Sequence, residues 1–310
     1  MNPFTHKTSQ SVAALGEGRL ITEIRKWLGK ASPKSPFGIG DDCAVVPAGR
    51  SAQLITVDPV IYGEHFDDKV PARGAGAKLF KRNLSDIAAM GGIPRAAVVA
   101  LALDSRTRTA WLRDFYKGLA KVATDYGVPV VGGDIAHHKG GIVATLTLVG
   151  ETSPKRFLTR EGARAGDFIF VTGQLGGSLK SGHHYKFNPR LAQGAWLAAR
   201  PEVRSMMDLS DGIAKDLRAL CPKNALPALI PEEIPCRKGC DLRAALCDGE
   251  DYELLFTVDH HADLGALSAD WHAAFPGLPL SLIGFFTKKG HMPDGALNLD
   301  KFRGFEHLVR

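Results

Sequence analysis

Two adjacent carboxylates, Asp41 and Asp42, stand between a glycine-spaced turn and a short apolar run. Gly38 and Gly40 allow the backbone to turn tightly and to approach a ligand closely. The run from Cys43 to Val46 predicts the start of a β-strand. Two like charges at a strand entrance repel each other, and near an apolar core they are costly unless a cation offsets them. Oxygen ligands of this kind favour Mg²⁺, although a solvated surface turn would also account for these residues.

Length and composition are those of an ordinary globular protein. The 310 residues are enough for two domains, and the apolar content of 45% and charged content of 23% are typical of such folds. No apolar stretch has the length of a membrane helix and no apolar signal segment opens the chain, so we expect a cytoplasmic protein that contacts no membrane. The formal charge of +6 fits a polyanionic small substrate, whereas scattered basic residues without interleaved aromatics speak against nucleic-acid binding.

The chain has five cysteines, an odd number with irregular spacing that speaks against a disulfide framework. Cys221, Cys236, Cys240 and Cys247 follow one another at spacings of 15, 4 and 7 residues. Zinc sites are usually built from closely paired cysteines, which these spacings lack. We therefore expect reduced thiols, with a zinc site as the alternative.

Apolar periodicity predicts the elements of the first half of the chain. Helices are expected at 18–29, 78–91 and 108–126, and strands at 53–58, 95–104, 128–131 and 142–150, besides the one that starts at Cys43. Pro59 is expected to limit pairing beyond the strand that precedes it. The alanine face of the strand at 95–104 is expected to pack against a helix, and the strand at 128–131 is expected to be buried.

The second half follows a connection at 151–166. Strands are predicted at 168–172, 254–258 and 280–285, and a helix near 262–275. The glycine-rich turn 173–178 is placed to begin a helix and to receive a phosphate. The chain contains neither the Walker P-loop nor the G-x-G-x-x-G dinucleotide fingerprint.

Asp86 falls on a helical face that also carries Asn83, Ile87 and Met90. A carboxylate on an apolar surface needs a partner, which is either a metal ion or a local hydrogen bond to a neighbouring loop. Two interpretations are also open for His65. It would contact an anionic or aromatic ligand, or it would be a structural or exposed residue.

Asp208 and Asp211 flank Ser210 at a predicted strand-to-helix turn. Ser210 or Asp211 would serve as the N-cap of the helix, since both residue types are favoured there. Two carboxylates with a hydroxyl between them would equally bind a metal ion.

Carboxylates recur beside glycine, serine or apolar residues, mostly where predicted elements end. They are Asp41, Asp42, Asp58, Asp86, Asp134, Asp208 and Asp211. Converging without cations, they would repel one another strongly at low dielectric. Several Mg²⁺ ions and a polyphosphate would resolve that repulsion, which points to phosphoryl transfer.

The motifs GIGDDCAVV, NLSDIAAMGG, VGGD, MDLSDG and DGEDYELLF occur in this order from residue 38 to residue 256. Together they resemble the thiamine-monophosphate kinase family of the aminoimidazole ribonucleotide synthetase-like superfamily, and the resemblance extends from Gly16 to Phe305. It implies ATP-dependent phosphorylation of thiamine monophosphate to the diphosphate, with ATP as co-substrate, several Mg²⁺ ions and no protein nucleophile. It also implies an α/β (α+β) fold of two domains, each with a mixed sheet flanked by helices.

The resemblance further implies an N-terminal ATP-binding, metal-binding and dimerisation domain at 1–151, a C-terminal α/β domain at 152–310, and a homodimer built on the N-terminal sheets. The implied metal ligands are Asp42, Thr56, Asp58, Asp86, Asp134, Asp208 and Asp211. The implied nucleotide contacts are Gly133, Asp134, Arg160, Ser210 and Tyr116. The implied substrate contacts are His65, Glu250 and Phe305.

The chain departs from the family pattern at a few places. Val57 and Pro59 flank Asp58 where the family often has threonines, Ile135 and Ala136 follow Asp134 in the same way, and Asp248 replaces a glycine. Hydroxyl groups are therefore lost near two of the matched carboxylates, but no matched carboxylate is lost. His137 and His138 have no assigned role.

Other readings stay open at this point. Selenophosphate synthetase relatives need a reactive cysteine or selenocysteine near the N-terminus, and no cysteine precedes Cys43. Hydrogenase-maturation relatives end in a functional cysteine, whereas this chain ends in Arg310. The remaining alternatives are a non-catalytic nucleotide-binding sensor and a related ATP-dependent enzyme with another substrate.

Overall fold

The computed structural model describes residues 22, 44–48, 51–104, 107–137, 139–153, 156–288 and 291–306. The predicted helix at 18–29 lies outside these residues except for Thr22, which is helical. Asp41, Asp42, Cys43 and His138 also lie outside them, so the carboxylate pair at the strand entrance stays a prediction.

The first half contains five strands and two helices among the described residues. They are β1 Ala44–Ala48, β2 Ser51–Ile61, α1 Ala72–Ala89, β3 Ile93–Leu103, α2 Thr109–Asp125, β4 Val130–His137 and β5 Ile142–Glu151. The strands form one mixed sheet in the order β1-β2-β5-β3-β4, in which β3 and β4 are parallel and the other pairs are antiparallel.

The second half contains the remaining five strands. Its elements are β6 Phe168–Thr172, α3 Ser178–Ser181, α4 His183–Lys186, α5 Leu191–Ala198, β7 Val203–Asp208, α6 Ile213–Leu220, β8 Ala225–Leu229, α7 Leu242–Cys247, β9 Leu254–Val258, α8 Leu264–Ala274 and β10 Leu280–Lys288, with short 3₁₀ turns at Pro231–Glu233 and Leu299–Lys301. The strands form a sheet in the order β7-β9-β6-β10-β8 with antiparallel pairings. The expected α/β architecture, with helices flanking a sheet in each half, is confirmed.

Helix α1 is the element on which the two halves meet. Leu79, Phe80, Leu84 and Ile87 are fully buried in the core of the first half. On another side of the helix, Ala88 belongs to an apolar cluster built mainly from the second half. A helix buried on several faces has one allowed position, and the side chains that it carries are fixed accordingly.

Two glycines bring α1 and α2 into close contact. A side chain at Gly76 would collide with the carbonyl oxygen of Phe115, and a side chain at Gly118 would collide with that of Arg73. The α1 backbone therefore lies directly against the α2 backbone, as only glycine permits.

Strand β2 runs through Pro59 to Ile61, so the prediction that Pro59 limits pairing is wrong. Pro59 pairs with Thr145 of β5, while the pairing with β1 ends at Ile55. Beyond Ile55, β2 has one described neighbour, and the missing N–H of Pro59 removes no ladder hydrogen bond there. Helix α1 also begins earlier than predicted, directly after Pro71, which occupies the N-cap position.

The far face of the first sheet differs from expectation. Val99 and Leu101 point towards the core as predicted, but Ala100 is exposed and no described helix covers its face. Of the strand predicted to be buried at 128–131, Val128 is buried, whereas β4 begins at Val130 and is exposed along its whole length, at the edge of the sheet. Val57 is 58% exposed and Val98 is 39% exposed on the same uncovered face.

No helix in the described part of the chain combines the length and the apolar character that a membrane-crossing helix needs.

We expect Gly118→Ala to lower the free energy of unfolding by about 1–3 kcal/mol, because the added methyl group forces α2 away from the Arg73 carbonyl despite the better helix propensity of alanine. Gly265→Ala, in helix α8, is the control, since its methyl group would meet only the Oδ1 atom of the Asp263 side chain, at 3.2 Å. Urea unfolding measures both. Equal stability of the two variants would contradict the close helix contact.

Candidate active site

One face of α1 carries four polar side chains, Lys78, Arg82, Ser85 and Asp86. Their spacing of four, three and one residues places them on one stripe of the helix, which we call the polar stripe. At 1.5 Å per residue the stripe spans roughly 12 Å. Each of its members meets a residue from another element.

Lys78 forms the N-terminal end of the polar stripe. Its side chain is fully buried, and its Nζ donates to the carbonyl oxygen of His65 at 2.7 Å and lies 2.6 Å from Oε1 of Glu250. Burial lowers the pKa of Lys78, and the Glu250 carboxylate opposes that shift. The ammonium group thus brings together two residues, His65 and Glu250, that the sequence assigns to substrate binding.

Arg82 lies in the middle of the stripe. Its Nη1 donates to the carbonyl oxygen of Pro59 at 2.8 Å, and its Nη2 lies 3.3 Å from Oδ1 of Asp58. Burial works against the guanidinium charge, but nearby anionic groups, including Asp58 and Glu250, prevail and raise the pKa of Arg82. Arg82 therefore stays charged and balances the carboxylates on both sides of it.

Ser85 and Asp86 form the C-terminal end of the stripe. Ser85 Oγ donates to Oδ2 of Asp208 at 2.6 Å, and Asp86 accepts a hydrogen bond from Thr56 Oγ1. Thr56 lies on β2 and Asp208 ends β7, so this end of α1 joins the first sheet to the second. The Thr56 contact gives Asp86 a protein partner and leaves both of its predicted readings in place.

A second group of carboxylates lies beyond Asp208. Asp216 is buried on α6 and accepts hydrogen bonds from the backbone N–H groups of Ser210 and Asp211, at 3.1 and 2.9 Å. Burial raises the pKa of Asp216, the charges of Asp211 and Asp208 raise it further, and Arg160 opposes them. Three aspartates and Arg160 therefore lie within electrostatic reach of one another.

The N-cap reading of Ser210 and Asp211 is wrong. Gly212 occupies the N-cap position of α6, and no side chain caps that helix. Asp211 instead forms an ion pair of 2.8 Å with Lys215, and its carbonyl oxygen accepts from the N–H of Phe305 at 2.9 Å. The tail residue predicted to contact substrate thus lies beside the carboxylate group.

The sequence shows few cations near the carboxylates, but the structure brings cationic side chains to several of them. Arg82 pairs with Asp58, Lys78 with Glu250 and Lys215 with Asp211. Apart from Lys215, these cations come from a different element than their partners, so inspection of sequence neighbours missed them. Part of the negative charge is therefore balanced by the protein itself.

The side-chain oxygen atoms near the C-terminal end of the polar stripe suit a hard divalent cation. Thr56, Asp58, Asp86, Asp208 and Asp211 present oxygen atoms only, as Mg²⁺ prefers. The Oδ1 atom of Asn83, one turn before Ile87 on α1, is also buried and lacks a hydrogen-bond partner in the described structure. The chemistry of these oxygen ligands therefore fits Mg²⁺.

The cysteine alternative finds no support in the described residues. Cys221, Cys236, Cys240 and Cys247 are free, and the group of potential metal ligands found there contains no cysteine. That group consists of Asp259, His260 and His261, after β9.

The structure does not bring Gly133 and Asp134 to the polar stripe. Asp134 pairs with Ala100 on the uncovered face of the first sheet, and β4 lies three strand spacings, roughly 14 Å, from β2. Tyr116 packs edge-to-face on Phe115 at 5.9 Å between ring centroids. The proposed nucleotide positions are therefore spread over more than one region.

A cavity of about 290 Å³ lies near these nucleotide positions. It is open at the carboxyl ends of the parallel strands β3 and β4, where ligands commonly bind in α/β sheets. Its lining residues are Leu103, Asp104, Thr107, Leu112, Ile135, Ala136 and His137. Leu112 is one helical turn before Tyr116, and Ile135 follows Asp134, so the cavity adjoins both.

The glycine-rich turn 173–178 does not offer a free phosphate site. The N–H of Gly176 donates to both carboxylate oxygens of Asp251 at 3.1 and 3.0 Å, and the N–H of Gly177 donates to Asp248 at 2.8 Å. Two carboxylates of the chain itself thus occupy the donors that a phosphate would need. The predicted phosphate contact is wrong for this reason.

The segment that carries Glu250 has an unusual backbone. Glu250 and Tyr252 adopt positive φ angles of 55° and 51°, in the left-handed region that residues with a side chain rarely occupy. Such strain persists only where the surroundings enforce it, and it is common at functional sites. Here the enforcement comes from Asp251, which is buried and held by the glycine-rich turn and by Arg237 at 3.0 Å.

His184 faces Glu250 from the opposite side to Lys78. Its Nδ1 lies 3.5 Å from Oε2 of Glu250, and the side chain is 7% exposed. Sequence reasoning missed His184, since nothing in the spacing of the His183-His184 pair relates it to a residue 66 positions later. Lys78 and Arg82 were also missed, although their four-residue spacing ahead of Asp86 was a usable signal.

Comparisons with known proteins identify the family of this chain. A thiamine-monophosphate kinase of Rhodopirellula baltica is 33% identical and covers 81% of this chain and 84% of its own length. A thiamine-monophosphate kinase of Escherichia coli is 33% identical, with coverage of 96% and 99%. This chain belongs to the thiamine-monophosphate kinase family.

Further similarities are consistent with that membership. Residues 40–152 match the family described as AIR synthase related protein, N-terminal domain. The solved structure of AaThiL complexed with AMPPCP and TMP has a TM-score of 0.82 and 28% sequence identity, and the match covers 97% of this chain and 100% of that chain. The resemblance and the fold class expected from the sequence are confirmed.

We expect stability to fall on acidification. Burial, reinforced by Lys78, lowers the pKa of His184 to about 3, and burial lowers that of His183 to about 4. The unfolded chain binds these protons near an ordinary pKa of about 6.5, so the free energy of unfolding decreases as the pH falls from there towards 4. Urea unfolding across this window should show a smaller decrease for His184→Leu than for the wild type. Identical pH dependence would contradict the burial of a neutral imidazole.

Proposed function

We propose that this chain transfers the γ-phosphate of ATP to thiamine monophosphate and so forms thiamine diphosphate. Family membership supports this activity, as does the likeness to a structure described as a complex with AMPPCP and TMP. The observation that carries the proposal is the polar stripe of α1, which ends in Asp86 and contacts Asp208 at one end, contacts Asp58 through Arg82 in the middle, and contacts Glu250 at the other end. A metal-assisted phosphoryl transfer depends on acidic ligands and substrate-binding residues that are held rigidly relative to one another, and α1 carries or contacts both.

Mg²⁺ is part of this proposal. Thr56, Asp58, Asp86, Asp208 and Asp211 would hold it, with Asp42 and Asp134 as further ligands by resemblance. Bound Mg²⁺ neutralises charge that develops on the transferred phosphoryl group. The protein contributes by fixing these oxygens on α1, β2 and the end of β7, so that no reorganisation is needed during transfer.

The residues at the other end of the stripe bind the acceptor in this proposal. Lys78 fixes Glu250 and the His65 carbonyl oxygen in one place. Phe305, the third substrate contact implied by the resemblance, lies next to Asp211, at the carboxylate end. These contacts orient thiamine monophosphate so that its phosphate points towards the carboxylate end. A direct transfer then requires no protein nucleophile, and none is assigned.

Nucleotide binding involves residues for which the resemblance is the main support. They are Gly133, Asp134, Arg160, Ser210 and Tyr116. The cavity at the ends of β3 and β4 adjoins Tyr116 and Asp134 and offers room for part of a nucleotide. Arg160 lies close enough to Asp216 to affect its pKa, and this places a cation near the Ser210 turn.

We further propose a homodimer that forms through the uncovered face of the first sheet, with domains at 1–151 and 152–310. The support is the apolar surface at Val57 and Val98, which a soluble monomer rarely leaves open. A cytoplasmic location remains a prediction from the sequence.

A turnover assay with thiamine monophosphate, labelled ATP and Mg²⁺ tests the proposed function. We expect label in thiamine diphosphate, and we expect no product in excess chelator. Ca²⁺ should replace Mg²⁺ poorly, because it favours longer and more variable coordination. Binding of ATP without transfer by the folded protein would contradict the kinase assignment and favour a nucleotide sensor.

We expect Asp86→Asn to lower kcat by roughly 100-fold or more, about 3 kcal/mol, because one charge that faces the metal is lost while the side-chain shape is kept. The Thr56 contact survives, since an amide oxygen also accepts a hydrogen bond. Asp125→Asn, on the exposed end of α2, is the matched control. Thermal melts with and without Mg²⁺-ATP accompany the assay. Near-normal turnover together with undiminished Mg²⁺-ATP stabilisation would refute a metal-binding role for Asp86.

We expect Val98→Lys to convert the dimer to a monomer, because it introduces a charge on the apolar sheet face. Leu179→Lys, at a side chain that is 62% exposed on α3, is the control and should not change the oligomeric state. Sedimentation velocity measures both variants. A dimer that survives Val98→Lys would refute the proposed interface.

A further inference from the structure

The side chain of His184 is buried, yet its Nδ1 atom accepts or donates no hydrogen bond in the described structure. Oε2 of Glu250 lies 3.5 Å from this Nδ1 atom, just beyond hydrogen-bond distance. A buried polar atom without a partner costs free energy, so its presence in a folded protein needs an explanation. A ligand that supplies the partner is one such explanation.

The position of His184 is fixed by its neighbours. Helix α4 lies against α1 through Tyr185, whose ring fills the space beside Gly74, and Lys81 donates to the carbonyl oxygen of Tyr185 at 3.4 Å. The imidazole lies 5.0 Å from the Tyr185 ring. His184 is therefore held against α1 and not free to turn away from Glu250.

Glu250 has one oxygen engaged and one facing His184. Oε1 lies 2.6 Å from Lys78 Nζ and 3.4 Å from the Tyr252 hydroxyl. Oε2 faces the unpartnered Nδ1 of His184. The two facing atoms form a short edge with one acceptor and one ring nitrogen, which we call the Glu250–His184 edge.

Charge decides which part of a ligand would suit this edge. Lys78 neutralises Glu250, and burial lowers the pKa of His184 so that its ring is uncharged at neutral pH. A site without net charge does not suit a phosphate group, which would bind at the cations and metal ligands elsewhere on the stripe. It does not suit a thiazolium cation either, because that cation would favour a net negative site. An uncharged heteroaromatic ring with an amino group beside a ring nitrogen matches an acceptor next to a donor.

We propose that the Glu250–His184 edge binds the aminopyrimidine ring of thiamine monophosphate, with His184 as a specificity-determining residue. This inference rests on the proposed function and deepens it. Glu250 Oε2 accepts from the exocyclic amino group, and His184, protonated on Nδ1, donates to the neighbouring ring nitrogen. The empty partner position of His184 is then filled by substrate.

The test compares thiamine monophosphate with oxythiamine monophosphate, in which an oxo group replaces the amino group. The wild type should favour the amino compound, because an oxo oxygen facing Glu250 leaves two acceptors opposed. His184→Leu should raise KM for thiamine monophosphate about tenfold, the scale of one hydrogen bond, and should reduce the preference between the two compounds. KM for Mg²⁺-ATP should stay unchanged. His184→Asn, which keeps a polar atom near the Nδ1 position, should restore part of the preference.

Calorimetric binding of both compounds to the wild type and to the two variants separates this inference from the proposed function. Binding with the expected preference but without turnover would refute the kinase activity and support the edge. Turnover with the same preference in wild type, His184→Leu and His184→Asn would refute the edge and leave the kinase activity intact. If His184→Leu does not fold, the preference of His184→Asn against the wild type decides in the same way. No binding of either compound to the wild type would refute both.

Discussion

The ammonium group of Lys78 has no contact with solvent, and its partners in the described structure are the His65 carbonyl oxygen and the Glu250 carboxylate. Breaking a buried ion pair by removing one partner typically costs about 3–5 kcal/mol, since the other charge is left without compensation. The pair therefore fixes the loop after β2 and the strained segment around Glu250 against the same turn of α1. Everything at the organic end of the site depends on this contact.

The C-terminal end of α1 holds carboxylates together instead of pairing a single carboxylate with an ammonium group. There the need is to hold carboxylates close together, and Ser85 and Thr56 do so by donating hydrogen bonds to Asp208 and Asp86. Arg82, between the two ends, offsets part of the charge through Asp58. Because α1 is buried on several faces and approached closely by α2 at Gly76 and Gly118, these positions are set by the core rather than by flexible side chains.

Much of this arrangement could be predicted from sequence. Periodicity identified the helix with Asp86, the strands around it and the second α/β half, and the order of acidic motifs identified the family. Three kinds of feature were out of reach. Ion pairs between elements, such as Lys78 with Glu250, link residues that are far apart in the chain. The glycine-rich turn binds Asp251 and Asp248, which no local sequence pattern reveals. The exposure of β4 follows from its edge position in the sheet. Pro59 is tolerated within β2 because the described pairing with β1 ends at Ile55, before Pro59, and this too could not be read from the sequence.

The central claim is that α1 carries the metal end and the organic end of one site. A crystal structure with Mn²⁺ in place of Mg²⁺, a non-hydrolysable ATP analogue and thiamine monophosphate tests it most directly, because anomalous scattering locates the metal without reference to the protein. We predict Mn²⁺ between Asp86 and Asp208, with the pyrimidine ring at the opposite end of the polar stripe, beside Glu250. Mn²⁺ bound away from Asp86 and Asp208, for example at Asp259 and His260, would contradict the account.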